Sequence, residues 1–180
     1  MNNLANQYYA KAYDAYPYEV AEAMEALGYA LSYDENHAGA HCLMGKLCMI
    51  QLKQFEEAIY HFECVIASDP QTVDVYPWYS LLLIRTGDNE KALRLIKYAE
   101  GIKGIDQIWM KQIRALVFES QDDLQQAKKL LKGAMKSSLS NDYSRFIESE
   151  LERVNKKLKK TRKKKSKSSG SKKKKKGKKK

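Results

Sequence analysis

Nowhere does the sequence hold an apolar run approaching the ~20 residues that a membrane-spanning helix needs. The first ten residues lack a basic stretch followed by an apolar one, and Asn and Gln sit among them, so they do not read as a secretory leader. Cysteine is scarce: Cys42, Cys48 and Cys64 are odd in number and confined to one third of the chain. That pattern fits buried thiols in a reducing compartment better than a disulfide framework. Catalytic signatures are missing too, with no Gly-rich phosphate loop, no HExxH and no GxSxG. His37 and His41 stand four apart, as His61 and Cys64 stand three apart, but the spacing matches no zinc knuckle. The expectation is a soluble, cytoplasmic, non-enzymatic chain with no cofactor and no metal.

Acidic residues are absent from the C-terminus. From Lys156 to Lys180 there are seventeen Lys and Arg and no carboxylate, whereas residues 1–155 hold sixteen basic and twenty-two acidic residues. The body is therefore net acidic, and the formal +11 belongs to the tail. With 43% apolar residues and twelve tyrosines, the body has enough to bury a core.

What the body does have is a repeat. Ala23, Ala58, Ala92 and Ala127 stand 35, 34 and 35 residues apart. A bulky apolar residue follows each by four (Leu27, Phe62, Ile96, Leu131), and a small or short one by seven (Ala30, Val65, Ala99, Ala134). Offsets of four and seven lie on one helical face, so this small-bulky-small pattern describes a helix closely approached at its small positions. Upstream stands a second small residue, Ala10, Gly45, Ser80 or Ala115, and three positions later Tyr13, Cys48, Leu83 or Phe118. Each unit thus reads as two helices joined by a short turn, and the turns carry the breakers Pro17 and Gly87 and the helix-capping Asp88. The first two units have one extra residue at that turn. A non-repetitive helical bundle is the competing reading.

The segment Ala38 to Gly45, followed by Phe55-Glu-Glu-Ala58 and Ser68-Asp-Pro70, and the third unit's Thr86 to Leu93, resemble the tetratricopeptide-repeat (TPR) family. The resemblance implies an all-α, right-handed solenoid with four repeats over 2–139 (about 2–36, 37–70, 71–104 and 105–139). Lys111 and Arg114 stand where the fourth unit would usually carry apolar packing residues. Tyr143, Phe146, Ile147, Leu151, Val154 and Leu158 recur at three and four, so 140–160 reads as a helix capping the last repeat. Residues 161–180 hold only Lys, Arg, Ser, Thr and Gly and are expected to be disordered. A repeat of this length also fits pentatricopeptide RNA readers, but the acidic body argues against a basic RNA groove.

The resemblance also implies a concave groove lined by the first helix of each unit. Mapped onto this chain it takes Gln7, Tyr8, Lys11 and Asp14; Cys42, Leu43, Lys46, Met49 and Ile50; Trp78, Leu81 and Arg85; and Trp109, Gln112, Ile113 and Leu116. Indole rings beside Leu, Ile and Met would anchor a partner peptide or helix. The asparagines of a carboxylate clamp are missing, and Leu81 stands where a cation would. The tail, with Lys163, Lys164, Lys165 and Lys172, Lys173, Lys174, Lys175 and Lys176 as its densest runs, would attract a polyanion through counterion release. It has no aromatic side chain and so no stacking platform. In a eukaryote the run from Lys156 to Lys167 would also pass for a nuclear localisation signal. Two functions follow: a scaffold gripping a protein segment in its groove, or a nucleic-acid- or ribosome-associated factor whose affinity lies in the tail.

Overall fold

A computed structural model describes the backbone of residues 3–138 and 141–176, with side chains over 4–138 and 143–161. It is all helical: α1 (Asn3–Ala15), α2 (Val20–Tyr33), α3 (Ala38–Leu47), α4 (Phe55–Ser68), α5 (Val75–Thr86), α6 (Asn89–Ala99), α7 (Gln107–Ser120), α8 (Leu124–Ser137) and α9 (Asn141–Lys176). Two compact units divide these elements, Met1–Ile105 and Asp106–Lys180. The first holds three helix pairs, α1/α2, α3/α4 and α5/α6; the second holds α7/α8 with α9 packed on α8.

The repeat positions of the even-numbered helices up to α8 form the core. Ala23, Leu27, Ala30, Ala58, Phe62, Val65, Ala92, Ile96, Ala99, Ala127, Leu131 and Ala134 are all at most 1% exposed. Each bulky member stabilises the fold by roughly 1.5–3 kcal/mol, and the alanines flanking it let a neighbouring helix come close. Gly45, Ser80 and Ala115 are likewise buried on the first helices of units two to four. A Cβ at Gly45 would lie 2.6 Å from the Phe62 ring, so only glycine fits this crossing.

Unit one departs from the expected small-residue pattern. Ala10 and Tyr13 are exposed, whereas Ala12 is buried in a cluster with Ala23, Ala26 and Leu27. Leu47, Leu82 and Val117, which stand at the place of Ala12 in the other units, are buried as well, so α1 keeps that position and differs in exposing Ala10. The ring of Tyr8 stacks on Tyr29 (5.0 Å) and Tyr33 (5.7 Å) of α2. That aromatic ladder fixes the rotation of α1, which small-residue spacing alone could not.

The turns account for the extra residues. In unit two, α3 runs on into a π-helical turn, Cys48–Leu52, which holds one more residue per turn, and Lys53 closes it with φ 59°. Gly87 (φ 90°) and Asp122 (φ 62°) close the same turn in units three and four. In unit one the Tyr16–Pro17 peptide is cis. Asp88 and Asp123 cap the helices that follow, accepting from Lys91 N (3.0 Å) and Gln126 N (3.1 Å).

The expected cap is present and longer than its apolar pattern. Ile147 and Val154 are fully buried against Leu131, Ala134 and Ala127, with Tyr143, Leu151 and Leu158 packed beside them, while Phe146 is exposed. Glu119 of α7, buried, receives Arg153 and Lys157 (2.8 Å), and Arg153 also meets Glu150 at 2.7 Å. The helix α9 runs to Lys176. Lysine is a good helix former, and no proline interrupts the run. Residues 177–180 and the side chains from 162 onward, hence Lys163 to Lys165 and Lys172 to Lys176, lie outside those described.

Candidate functional site

In the first unit the odd-numbered helices bring several of the expected residues together. Lys46 of α3 holds its ammonium 5.4 Å from the ring centroid of Trp78 on α5, which is half-buried. Arg85, seven residues on and on the same face of α5, lies 4.8 Å from the ring of Phe55. A cation over an aromatic face contributes about 0.5–1 kcal/mol at an exposed position, so both cations are held in place yet remain near solvent. Leu81 is half-buried between them in sequence.

Other residues are placed differently. Leu43 and Met49 are buried, and Leu43 belongs to the core cluster with Leu47 and Leu27, so neither is presented on a surface. Tyr8 faces α2 through its tyrosine stack, and Lys11 pairs with Glu22 of α2 at 3.3 Å. Tyr9, the neighbour of Tyr8, lies against α3 instead, its ring close to Gly39, and Tyr13 is exposed beside it. Tyr9 packs on His37 (5.1 Å), and its hydroxyl is raised by burial, then by Cys42, Tyr13 and Asp74. Burial pushes the Cys42 thiol up to about 11, with Lys46 opposing and Asp74 adding. Tyr9, Tyr13, Cys42, Lys46 and Asp74 thus share one neighbourhood. Spacing missed Tyr9 and Tyr13; the surplus of aromatics beyond the repeat pattern in α1 was the only available signal.

In the second unit Trp109 is half-buried at the start of α7, where Asp106 caps its backbone N–H at 2.9 Å. Gln112 and Ile113 are buried, at 3% and 1% exposure, so the structure assigns them to the interior and not to a contact surface. Neither amide atom of Gln112 has a hydrogen-bond partner among the described residues. Lys111 and Arg114 are half-buried, and Met110, Ile113 and Val117 provide the apolar packing of α7 instead.

The histidines form a structural pair. His41 Nε2 donates to the Glu35 carbonyl at 2.9 Å, which leaves His41 Nδ1 as an acceptor for His61 Nδ1–H at 2.8 Å. Burial and the neighbouring His41 hold His61 down at about 4. Among the described residues no three His, Cys, Asp or Glu side chains gather where they could hold a metal, and no helix is long and apolar enough to cross a membrane.

No protein-family model matches the chain, and no curated protein does. Solved structures do match. The PilF structure from Pseudomonas aeruginosa superposes with a TM-score of 0.73 at 16% identity, covering 88% of this chain and 70% of that one. A thermophilic TPR protein from Thermus thermophilus gives 0.69 at 15% identity, covering 81% and 80%. MamA from Desulfovibrio magneticus gives 0.66 at 14%, covering 89% and 94%. At such identities the likeness is one of fold. Together with the four buried small-bulky-small helices, it gives this chain a TPR-like fold, an all-α solenoid of paired helices.

Proposed function

We propose that the chain is a protein-interaction scaffold whose first unit grips a partner segment on the surface formed by α1, α3 and α5. The observation that carries this is the convergence of Lys46 on Trp78, an indole left half-exposed beneath a cation that has no ion pair among the described residues. Tyr13, 62% exposed, extends the aromatic surface along α1, and Leu81 and Arg85 extend it along α5. Such a surface suits a segment with an apolar anchor flanked by carboxylates: the indole buries the anchor, and the cations meet the charge. Trp109 on the second unit offers a second anchor of the same kind.

The test is a peptide-display selection against the intact chain, followed by binding of the selected peptides to the Trp78→Ala Trp109→Ala variant. Loss of binding with an unchanged helical circular dichroism signal supports the reading; unchanged affinity sinks it.

The seventeen cations in the last twenty-five residues favour a second reading, a nucleic-acid- or ribosome-associated factor held by its tail. Removing residues 161–180 then abolishes nucleic-acid binding, and raising salt weakens it steeply; binding indifferent to salt would count against it.

A further inference from the structure

Outside the groove and the tail, one surface of the folded body is charged without compensation. On α8 the apolar residues Leu124, Ala127, Leu131 and Ala134 are consumed by the core. The opposite face carries Lys128, Lys129, Lys132 and Lys136, and the helix contains no acid. These four lysines, with Gln125 and Gly133, line an open recess of about 520 Å³. Among the described residues none of the four takes part in an ion pair, unlike Lys156 and Lys157 of α9, which meet Glu152 and Glu119.

Two features of this face are unfavourable for folding alone. Lys128, Lys132 and Lys136 follow at intervals of four, and like charges at that spacing destabilise a helix. Gly133 stands inside the helix, where glycine is less favourable than alanine. Packing does not require it, since a Cβ there would meet nothing within 4 Å. Its effect is to leave the floor of the recess open between Lys129, Lys132 and Lys136.

We infer that the α8 face is a docking surface for the phosphate backbone of a nucleic acid. Eight residues of helix separate Lys128 from Lys136, a length of about 12 Å. Four ammonium groups over that length approach the ~3.4 Å axial spacing of phosphates on one strand. No aromatic side chain lies on α8, so bases are neither stacked nor read, and binding is indifferent to sequence. An amphipathic membrane helix would keep its apolar face for lipid; that of α8 is already buried. The second unit tolerates such a partner, because residues 106–155 hold eight basic and eight acidic residues, whereas residues 1–105 hold eight and fourteen.

The experiment measures binding of the full-length chain to a long DNA duplex by fluorescence anisotropy between 50 and 200 mM salt. Changing Lys128, Lys129, Lys132 and Lys136 to Gln lowers the slope of log affinity against log salt by about 3–4, at ~0.9 per phosphate contact. Over this salt range the intact chain then loses about a hundredfold more affinity than the variant. A reference variant with Lys53, Arg94, Lys97 and Lys103 changed to Gln removes equal charge from the first unit and keeps the original slope. An unchanged slope in the α8 variant, or an equal fall in both, overturns the inference. So does an α8 variant that loses phosphatidylserine vesicles or polyglutamate as strongly as it loses the duplex. Because the tail is intact in every arm, these outcomes are separate from the fate of the tail reading and from that of the groove.

Discussion

Replacing Gly45 with Ala and, separately, Gly28 with Ala makes the same chemical change in two helices and should move stability in opposite directions. Both residues lie inside helices, so each substitution gains about 0.8–1 kcal/mol of helix propensity. At Gly28 the new methyl meets nothing within 4 Å, and that gain is realised in full. At Gly45 it would stand 2.6, 2.8 and 3.1 Å from three carbons of the Phe62 ring. Phe62 is fully buried, so the ring cannot retreat into solvent, and overpacking of this kind costs about 1–3 kcal/mol. The net expectation is a gain of about 0.8–1 kcal/mol for Gly28→Ala and a loss of up to about 2 kcal/mol for Gly45→Ala. Urea unfolding followed by circular dichroism reads both as shifts of the midpoint. A double variant, Gly45→Ala with Phe62→Leu, should recover part of the loss, because the smaller side chain yields the space. If Gly45→Ala stabilises the chain as Gly28→Ala does, the helix crossing at Gly45 is not as tight as described and the repeat register there is wrong.

Removing the buried charge that pins the cap, by Glu119→Gln, should cost about 1–2 kcal/mol, less than the 3–5 of a fully buried pair because Arg153 and Lys157 are 39% and 51% exposed. Faster hydrogen exchange in α9 than in α8 would report it, and equal exchange with unchanged stability would refute it. The hydroxyl of Ser80 is fully buried and unpartnered among the described residues, so Ser80→Ala should be neutral or stabilise by up to about 1 kcal/mol; a clear loss in thermal midpoint would contradict this. His61 titrates near 4 in the folded chain, below an unfolded value of about 6.5. The unfolded state therefore takes up its proton first, and stability should be level above pH 7 and fall as pH drops from about 6.5 toward 4. His61→Gln should flatten that part of the pH profile, and an unaltered slope would disprove the assignment.

The repeat could be read from the sequence because helix packing leaves a one-dimensional trace. A small-bulky-small pattern at offsets of four and seven marks the buried stripe of α2, α4, α6 and α8, and every one of those twelve positions is interior. The capping stripe of α9 is legible for the same reason, in Ile147, Leu151, Val154 and Leu158. The tail's charge needs no structure at all. Spacing does not encode rotation where two small residues compete: Ala10 and Ala12 are equivalent as letters, and the stack of Tyr8 on Tyr29 and Tyr33 selects Ala12. That contact joins residues more than twenty positions apart, so only the tertiary structure could move the α1 surface from Tyr8 and Lys11 to Tyr9 and Tyr13. The same holds for Leu43, Met49, Gln112 and Ile113, whose burial depends on neighbours that a helical wheel cannot show. Local periodicity determined which faces of the helices are apolar, and packing across the chain decided which of those faces remain open to a partner.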